Sequence, residues 1–219
     1  MKQLNLLMAS AALVAAALSS HAAQAADVTV LDEGFGDLAG LSGWERVNRS
    51  FPPGTGWFQG NPGIFASQAG APNAYAAANY LGAYNGMGVV DNWLITPTLS
   101  LGGQSTLSFF TNHELADGLD DLLEVRFGSG SGTDAASFGT LLTTIGGDTG
   151  FPGDWQQWST GLNFTGEGRF AFRYLGDAAV LGYVGLDTVR VVTAVPEPRG
   201  VLLLLGGLGL LALFRRRQR

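Results

Sequence analysis

Cysteine is absent from the 219 residues. That excludes disulfides, thiolate metal sites and cysteine nucleophiles together, and leaves an apolar core as the source of stability. Lysine occurs once, as Lys2, and charged residues of both signs make up only 14% of the chain. The few charges are unevenly placed. Residues 27–194 hold 17 Asp and Glu against six Arg, a net of −11, whereas the whole chain comes to −6 because Lys2, five arginines and one acid, Glu197, lie outside that stretch. A domain so acidic has no basic footprint for a phosphate backbone, which excludes nucleic acid as a partner. Histidine is nearly missing too. Beyond the first 25 residues only His113 is present, so any Ser-His-Asp chemistry would have to use it, and no serine sits in a nucleophile-elbow pattern. No internal repeat at a solenoid period occurs.

Long apolar runs are present at the two ends. Met1 and Lys2 precede the almost wholly apolar residues 4–18, and Ala23-Gln24-Ala25 is a small-x-small cleavage pattern. Residues 1–25 therefore read as a secretory signal peptide rather than a core helix, since runs such as Ala15-Ala16-Ala17 offer little area and no polar face. Residues 200–214 carry no charge and are followed by Arg215, Arg216, Arg217 and Arg219. At about 1.5 Å per residue the run reaches roughly 22 Å, short of a ~30 Å hydrocarbon core. Clustered arginines favour the cytoplasmic side and snorkel to lengthen a short span, so the expectation is a single transmembrane helix placed N-out and C-in. In front of it, Val195, Pro196, Glu197 and Pro198 should be extended and unpaired, because proline fixes φ and lacks an N–H.

The order of that tail, Val195-Pro196-Glu197-Pro198, an apolar run, then Arg215-Arg216-Arg217, resembles the PEP-CTERM sorting signal of Gram-negative bacteria. The resemblance implies that an exosortase in the inner membrane reads residues 195–198 and that the anchor is transient. It covers only residues 194–219; a Pro-rich linker before a permanent anchor would look the same without cleavage.

Between the ends the pattern is one of strands and turns. Val28-Thr29-Val30, Trp93-Leu94-Ile95, Thr106-Leu107-Ser108-Phe109-Phe110 and Thr188-Val189-Arg190-Val191-Val192 are β-rich runs, and residues 122–127 and 169–174 alternate apolar with polar side chains. Gly128-Ser129-Gly130-Ser131-Gly132, Gly146-Gly147-Asp148 and Pro152-Gly153-Asp154 supply turns between them. Residues 74–78 have a helix-favouring composition in a stretch too short to count. The expected architecture of residues 26–193 is one all-β domain, an antiparallel two-sheet jelly-roll-like β-sandwich.

Several stretches in that domain are also similar to a family. Asp32-Glu33-Gly34-Phe35, Gly43-Trp44, Gly56-Trp57-Phe58-Gln59-Gly60-Asn61, Asn92-Trp93-Leu94-Ile95-Thr96-Pro97, Leu123-Glu124-Val125-Arg126 and Gly185-Leu186-Asp187-Thr188-Val189 resemble the choice-of-anchor J domain, itself similar to cleaved-adhesin and MAM-like sandwiches. The resemblance implies a surface or matrix protein of a β-sandwich type often used for adhesion or glycan contact, and it implies no established catalytic activity. Related sandwiches hold calcium by terminal acids. Since a jelly roll sets its first and last strands side by side, Asp32, Glu33 and Asp37 are expected near Asp187 as a structural calcium site, although Gly36 stands where an acid is common in that family. No other cofactor is expected. Asp117, Asp120 and Asp121 are the candidates for a glycosidase acid pair, but they sit in a polar turn where solvated aspartates are ordinary. Of the tryptophans, Trp155 and Trp158, flanked by Gly153, Asp154, Gln156 and Gln157, are the pair expected to be exposed for sugar stacking. The functional expectation is an exported, exosortase-processed cell-surface or matrix protein that binds exopolysaccharide or another envelope component. The alternatives are a purely structural biofilm or sheath component and, behind it, a secreted glycan-active enzyme.

Overall fold

A computed structural model describes residues 26–195. The expected signal peptide, apolar run and basic tail, with Pro196, Glu197, Pro198, Arg215, Arg216 and Arg217, lie outside the described residues. Among those described there is no α-helix, and no helix is long and apolar enough to cross a membrane.

Ten strands follow one another: β1 (Ala26–Glu33), β2 (Glu45–Asn48), β3 (Phe58–Gln59), β4 (Ala76–Asn79), β5 (Val89–Ile95), β6 (Leu99–His113), β7 (Leu122–Ser129), β8 (Thr140–Gly146), β9 (Gln156–Asp177) and β10 (Tyr183–Val195). Every registered pairing is antiparallel. The chain is the all-β, antiparallel two-sheet sandwich that its alternation predicts, and the first and last strands do pair, β1 with β10.

The sandwich is built around β9. Its N-terminal half pairs with β6, from Thr111↔Gln156 to Leu99↔Gly168, and its C-terminal half pairs with β5, from Ile95↔Ala171 to Val89↔Asp177. β5 and β6 therefore lie end to end along one edge of β9, joined at Thr96 and Pro97. Proline cannot donate to a ladder and so marks the corner; Thr96 keeps the pairing closed there, donating its amide to Phe170 O while its hydroxyl accepts from the Phe170 amide. One layer of the sandwich is β2-β5-β9-β7-β8 and the other β9-β6-β10-β4-β3; because β9 runs through both, the ten strands form one curled sheet. Only five residues separate Asp177 from Tyr183, and Val184 pairs with His113. Both ends of β9 thus come to the same end of the sandwich.

The inward faces follow from the period of two. Val90 and Leu94, Leu107 and Phe109, Leu123, Val125 and Phe127, Phe170, Phe172 and Tyr174, and Val184, Leu186, Val189 and Val191 form the main core. Phe109 and Phe172 meet edge to face with centroids 5.1 Å apart. The run Trp93-Leu94-Ile95 is apolar on both sides because both of its faces are covered. Leu94 faces the core, while Trp93 and Ile95 pack outward against Phe138 and Ala171.

Residues 74–78 form no helix despite their helix-favouring composition. They enter strand β4, where Ala76, Ala77 and Ala78 are fully buried between β3 and β10. Alanine's helix propensity is a small term, and it is outweighed by a site where neighbours on both faces leave room only for a methyl group.

Candidate functional site

Residues 60–75 fold over the outward face of β4 and β10 and make a second small core there. Tyr75 and Tyr183 pack with Ala77, Phe58, Phe65 and Trp155, and Phe65 stacks on Tyr75 at 5.2 Å. Asp187 fastens this segment down. Its carboxylate is fully buried and accepts from the amides of Gln68 (2.9 Å), Ala69 (3.1 Å) and Thr188 (2.6 Å). Burial raises its pKa above the usual aspartate value, against the lowering effect of those three amides. The register of β10 shifts between Asp187 and Arg190, and Thr188 takes the left-handed region at φ 49, a bulge that re-aims Asp187 at the segment it holds.

The other acids expected to share calcium with Asp187 are spent locally. Glu33 accepts from the amide of Phe35 (2.7 Å), and Asp37 from those of Ala39 and Gly40 (3.1 and 3.3 Å). Asp32 is exposed. Among the described residues no three His, Asp or Glu side chains are grouped to hold a metal ion. The set Asp32, Glu33, Asp37 and Asp187 is therefore not assembled into one site.

The tryptophan pair differs from expectation as well. Trp155 and Trp158 are half-buried and belong to opposite sides of the sheet. Trp155 packs edge-on to Phe65 and Tyr75 and donates its indole N–H to Ala66 O (2.8 Å), while Trp158 packs against the main core. Polar flanking residues gave the appearance of exposure, but an odd spacing at the mouth of a strand sends the rings to opposite faces. They form no joint platform.

Asp121 is likewise no solvated loop acid. Its buried carboxylate accepts from the Tyr174 hydroxyl and from the Gly182 amide (2.9 Å), and lies 3.0 Å from His113 Nδ1. Burial, then the Asp121 charge and hydrogen bond, holds the Tyr174 hydroxyl well above the ordinary tyrosine range. The imidazole stacks on Phe151 at 5.3 Å. This network ties β6, β7, β9 and the link into β10 together at the end where both termini of β9 meet. Asp117 and Asp120 are exposed beside it.

The same end carries aromatic surface that the alternation pattern does not reveal. Phe51, Tyr84 and Met87 are 79%, 59% and 64% exposed, with Tyr80, Leu81 and Val89 also open to solvent. They sit on two short loops, residues 49–55 and 80–88, that brace one another, except Val89, which starts β5. Phe51 and Val89 exchange both backbone hydrogen bonds (2.9 and 3.0 Å), Tyr84 donates to Pro52 O (2.8 Å), and Gly54 and Thr55 donate to Gly82 O and Leu81 O (2.8 Å each). Asn48 Nδ2 donates to Gly54 O and Gly82 O, and Asn92 Nδ2 to Thr55 O. Gly86, at φ +68, leaves room for the Tyr80 ring, which a Cβ there would meet at 2.8 Å. The rings are thus mounted on a rigid base, the arrangement by which a flat apolar sugar face is held at small entropic cost. The one sequence signal was the presence of large aromatics inside a Gly/Asn-rich turn, Tyr80-Leu81-Gly82-Ala83-Tyr84-Asn85-Gly86-Met87.

The fold and this loop end define an adhesin-like β-sandwich. The chain is similar to two domains of Lys-gingipain from Porphyromonas gingivalis W83. Against the K3 cleaved adhesin domain the TM-score is 0.62 at 26% identity, covering 77% of this chain and all of that one. Against the K1 cleaved adhesin domain it is 0.59 at 26% identity, covering 78% of this chain and 99% of that one. No protein-family description matches the sequence, and no curated protein does.

Proposed function

We propose that this protein is exported and works outside the inner membrane as a non-catalytic binding protein for polysaccharide of the cell envelope or matrix. The aromatic rim of Phe51, Tyr80 and Tyr84 is its contact surface. The observation that carries the reading is the rim itself: large rings left open to water on loops fixed by cross-bracing hydrogen bonds. The similarity to cleaved adhesin domains supports it. Export rests on the sequence of residues 1–25. Sorting by an exosortase rests on Val195, Pro196, Glu197 and Pro198 standing before an apolar run and Arg215, Arg216 and Arg217; the inner membrane then holds the chain only until processing.

The test is binding of the host's own polysaccharide to the full-length protein and to the Phe51→Ala/Tyr84→Ala double variant. Both rings are exposed, so melting temperature should be unchanged within error while affinity falls at least tenfold, about 1.4 kcal/mol. Equal binding by both proteins would remove the rim from this role. Loss of self-association in the variant, with no glycan binding by either protein, would favour a structural sheath component instead.

A further inference from the structure

Sharing no residue with the rim, a concavity of about 370 Å³ opens between the residue 60–75 cover and the end of β6. It is lined by Ile64, Phe65, Asn112, Glu114, Leu115 and Asp154, together with Gly63, His113 and Gly153. Its size falls within the ~300–1,000 Å³ usual for small-ligand sites.

The chemistry of the lining is one-sided. No lysine or arginine contributes to it. Glu114 and Asp154 are exposed, and neither carboxylate has an ion-pair or hydrogen-bond partner among the described residues. The one imidazole has Nδ1 committed to Asp121. Asn112 is 5% exposed and carries a buried Oδ1 with no hydrogen-bond partner. An orphaned oxygen of this kind costs about 1–3 kcal/mol unless something donates to it, and of the buried unpartnered polar atoms it is the one whose residue lines this groove. Ile64, Phe65 and Leu115 supply the apolar walls. Gly153 lets Leu115 close in, since a Cβ there would fall 2.4 Å from a Leu115 methyl.

A groove with two unpaired carboxylates, an unpartnered amide oxygen and no cationic side chain selects a ligand that is positively charged and carries several donors. An ammonium group has three donors and no acceptor, and the flat face of a pyranose matches the apolar walls. We propose that the groove binds an amino sugar through its free ammonium group, with Glu114 and Asp154 as counter-ions and the Asn112 carboxamide as a further partner. This site is separate from the aromatic rim and goes beyond the polysaccharide contact proposed for it.

The experiment is calorimetric titration of the full-length protein, under mildly acidic conditions, with a short glucosamine oligomer, its fully N-acetylated counterpart and a uronic acid oligomer of the same length. The glucosamine oligomer should bind at least tenfold more tightly than the acetylated one, and the uronate not at all. Glu114→Gln/Asp154→Asn should weaken glucosamine binding about tenfold, whereas Asp27→Asn/Asp148→Asn, the same charge change elsewhere, should not. Asn112→Leu should also weaken it while leaving the melting temperature equal or higher, because the variant removes an unsatisfied oxygen. Phe51→Ala/Tyr84→Ala should leave it intact. Equal binding of free and acetylated oligomers, or equal loss from both charge-changing doubles, would overturn the proposal. Loss with the rim variant alone would overturn it and leave the rim reading standing; failure of the rim reading would show instead as unchanged binding of host polysaccharide by the rim variant.

Discussion

Asp187 shows how much a buried carboxylate does when backbone amides surround it. Replacing it with alanine leaves the amides of Gln68 and Ala69 without their acceptor and unfastens the cover over β4 and β10. We expect a loss of roughly 1–3 kcal/mol in unfolding free energy. Hydrogen exchange should quicken at those two amides, and at Ser67, well before it does in the main core. Uniform protection in the variant would mean that the cover is held by Phe65 and Trp155 alone. The sequence did not disclose this role. Asp187 reads equally well as a cation ligand, because which oxygens remain free depends on a bulge one residue away and on a segment over 110 positions earlier in the chain. Tyr84 was hidden for the opposite reason. Alternation identifies residues that face a core, and a ring that faces water on a turn leaves no periodic trace.

Strands β5, β7 and β9 carry a charged lattice on their outward faces. Arg173 pairs with Asp91 (2.6 Å) and Glu124 (3.1 Å), Arg126 pairs with Glu124 (2.7 Å), and the Arg173 guanidinium lies 5.0 Å from the centre of the Trp93 ring. Partial burial works to raise the Glu124 pKa, but the hydrogen bonds and charges of Arg126 and Arg173 outweigh it and leave the group below the usual glutamate value. A depressed carboxyl contributes stability that is present above its unfolded pKa, about 4.3, and is lost as pH falls through the lower folded value. Glu124→Gln should therefore melt several degrees lower than the parent at neutral pH, with the gap narrowing as pH drops below that range. A gap that stays constant with pH would assign the loss to packing. Asp187 runs the other way. Its raised pKa gives a contribution complete below the unfolded value, about 3.9, and lost as pH rises. β7, the C-terminal half of β9 and the end of β10 were legible because apolar and polar side chains alternate along them. β2, β3 and β8 were not, being short edge strands or weakly patterned. The N-terminal half of β9 was missed although Trp158, Leu162 and Phe164 alternate toward the core, because Thr160 breaks the apolar series and Gly161 interrupts it.

At the scale of the whole molecule, the fold class followed from glycine-rich turns between short alternating runs, and the pairing of first with last strand from the jelly-roll expectation. The bend that unites β5, β6 and β9 had no signature beyond Thr96-Pro97. Processing is a prediction at this scale. Intact mass of the protein from its native host, measured separately in membrane and secreted fractions, should give a species beginning near Ala26 and ending near residues 195–198. A species that retains residues 200–219 in every fraction would make the tail a permanent anchor and end the sorting assignment.

The loop end and the far end of β10 lie on opposite sides of the domain, because β10 starts beside His113 and runs the length of β6 past Thr193↔Ser105. A load applied between a glycan held at the rim and a tether leaving through β10 would act along that strand. The hydrogen bonds joining β10 to its neighbours lie across the direction of pull. They would be sheared together instead of unzipped one at a time, so separating β10 in that direction means breaking them as a set.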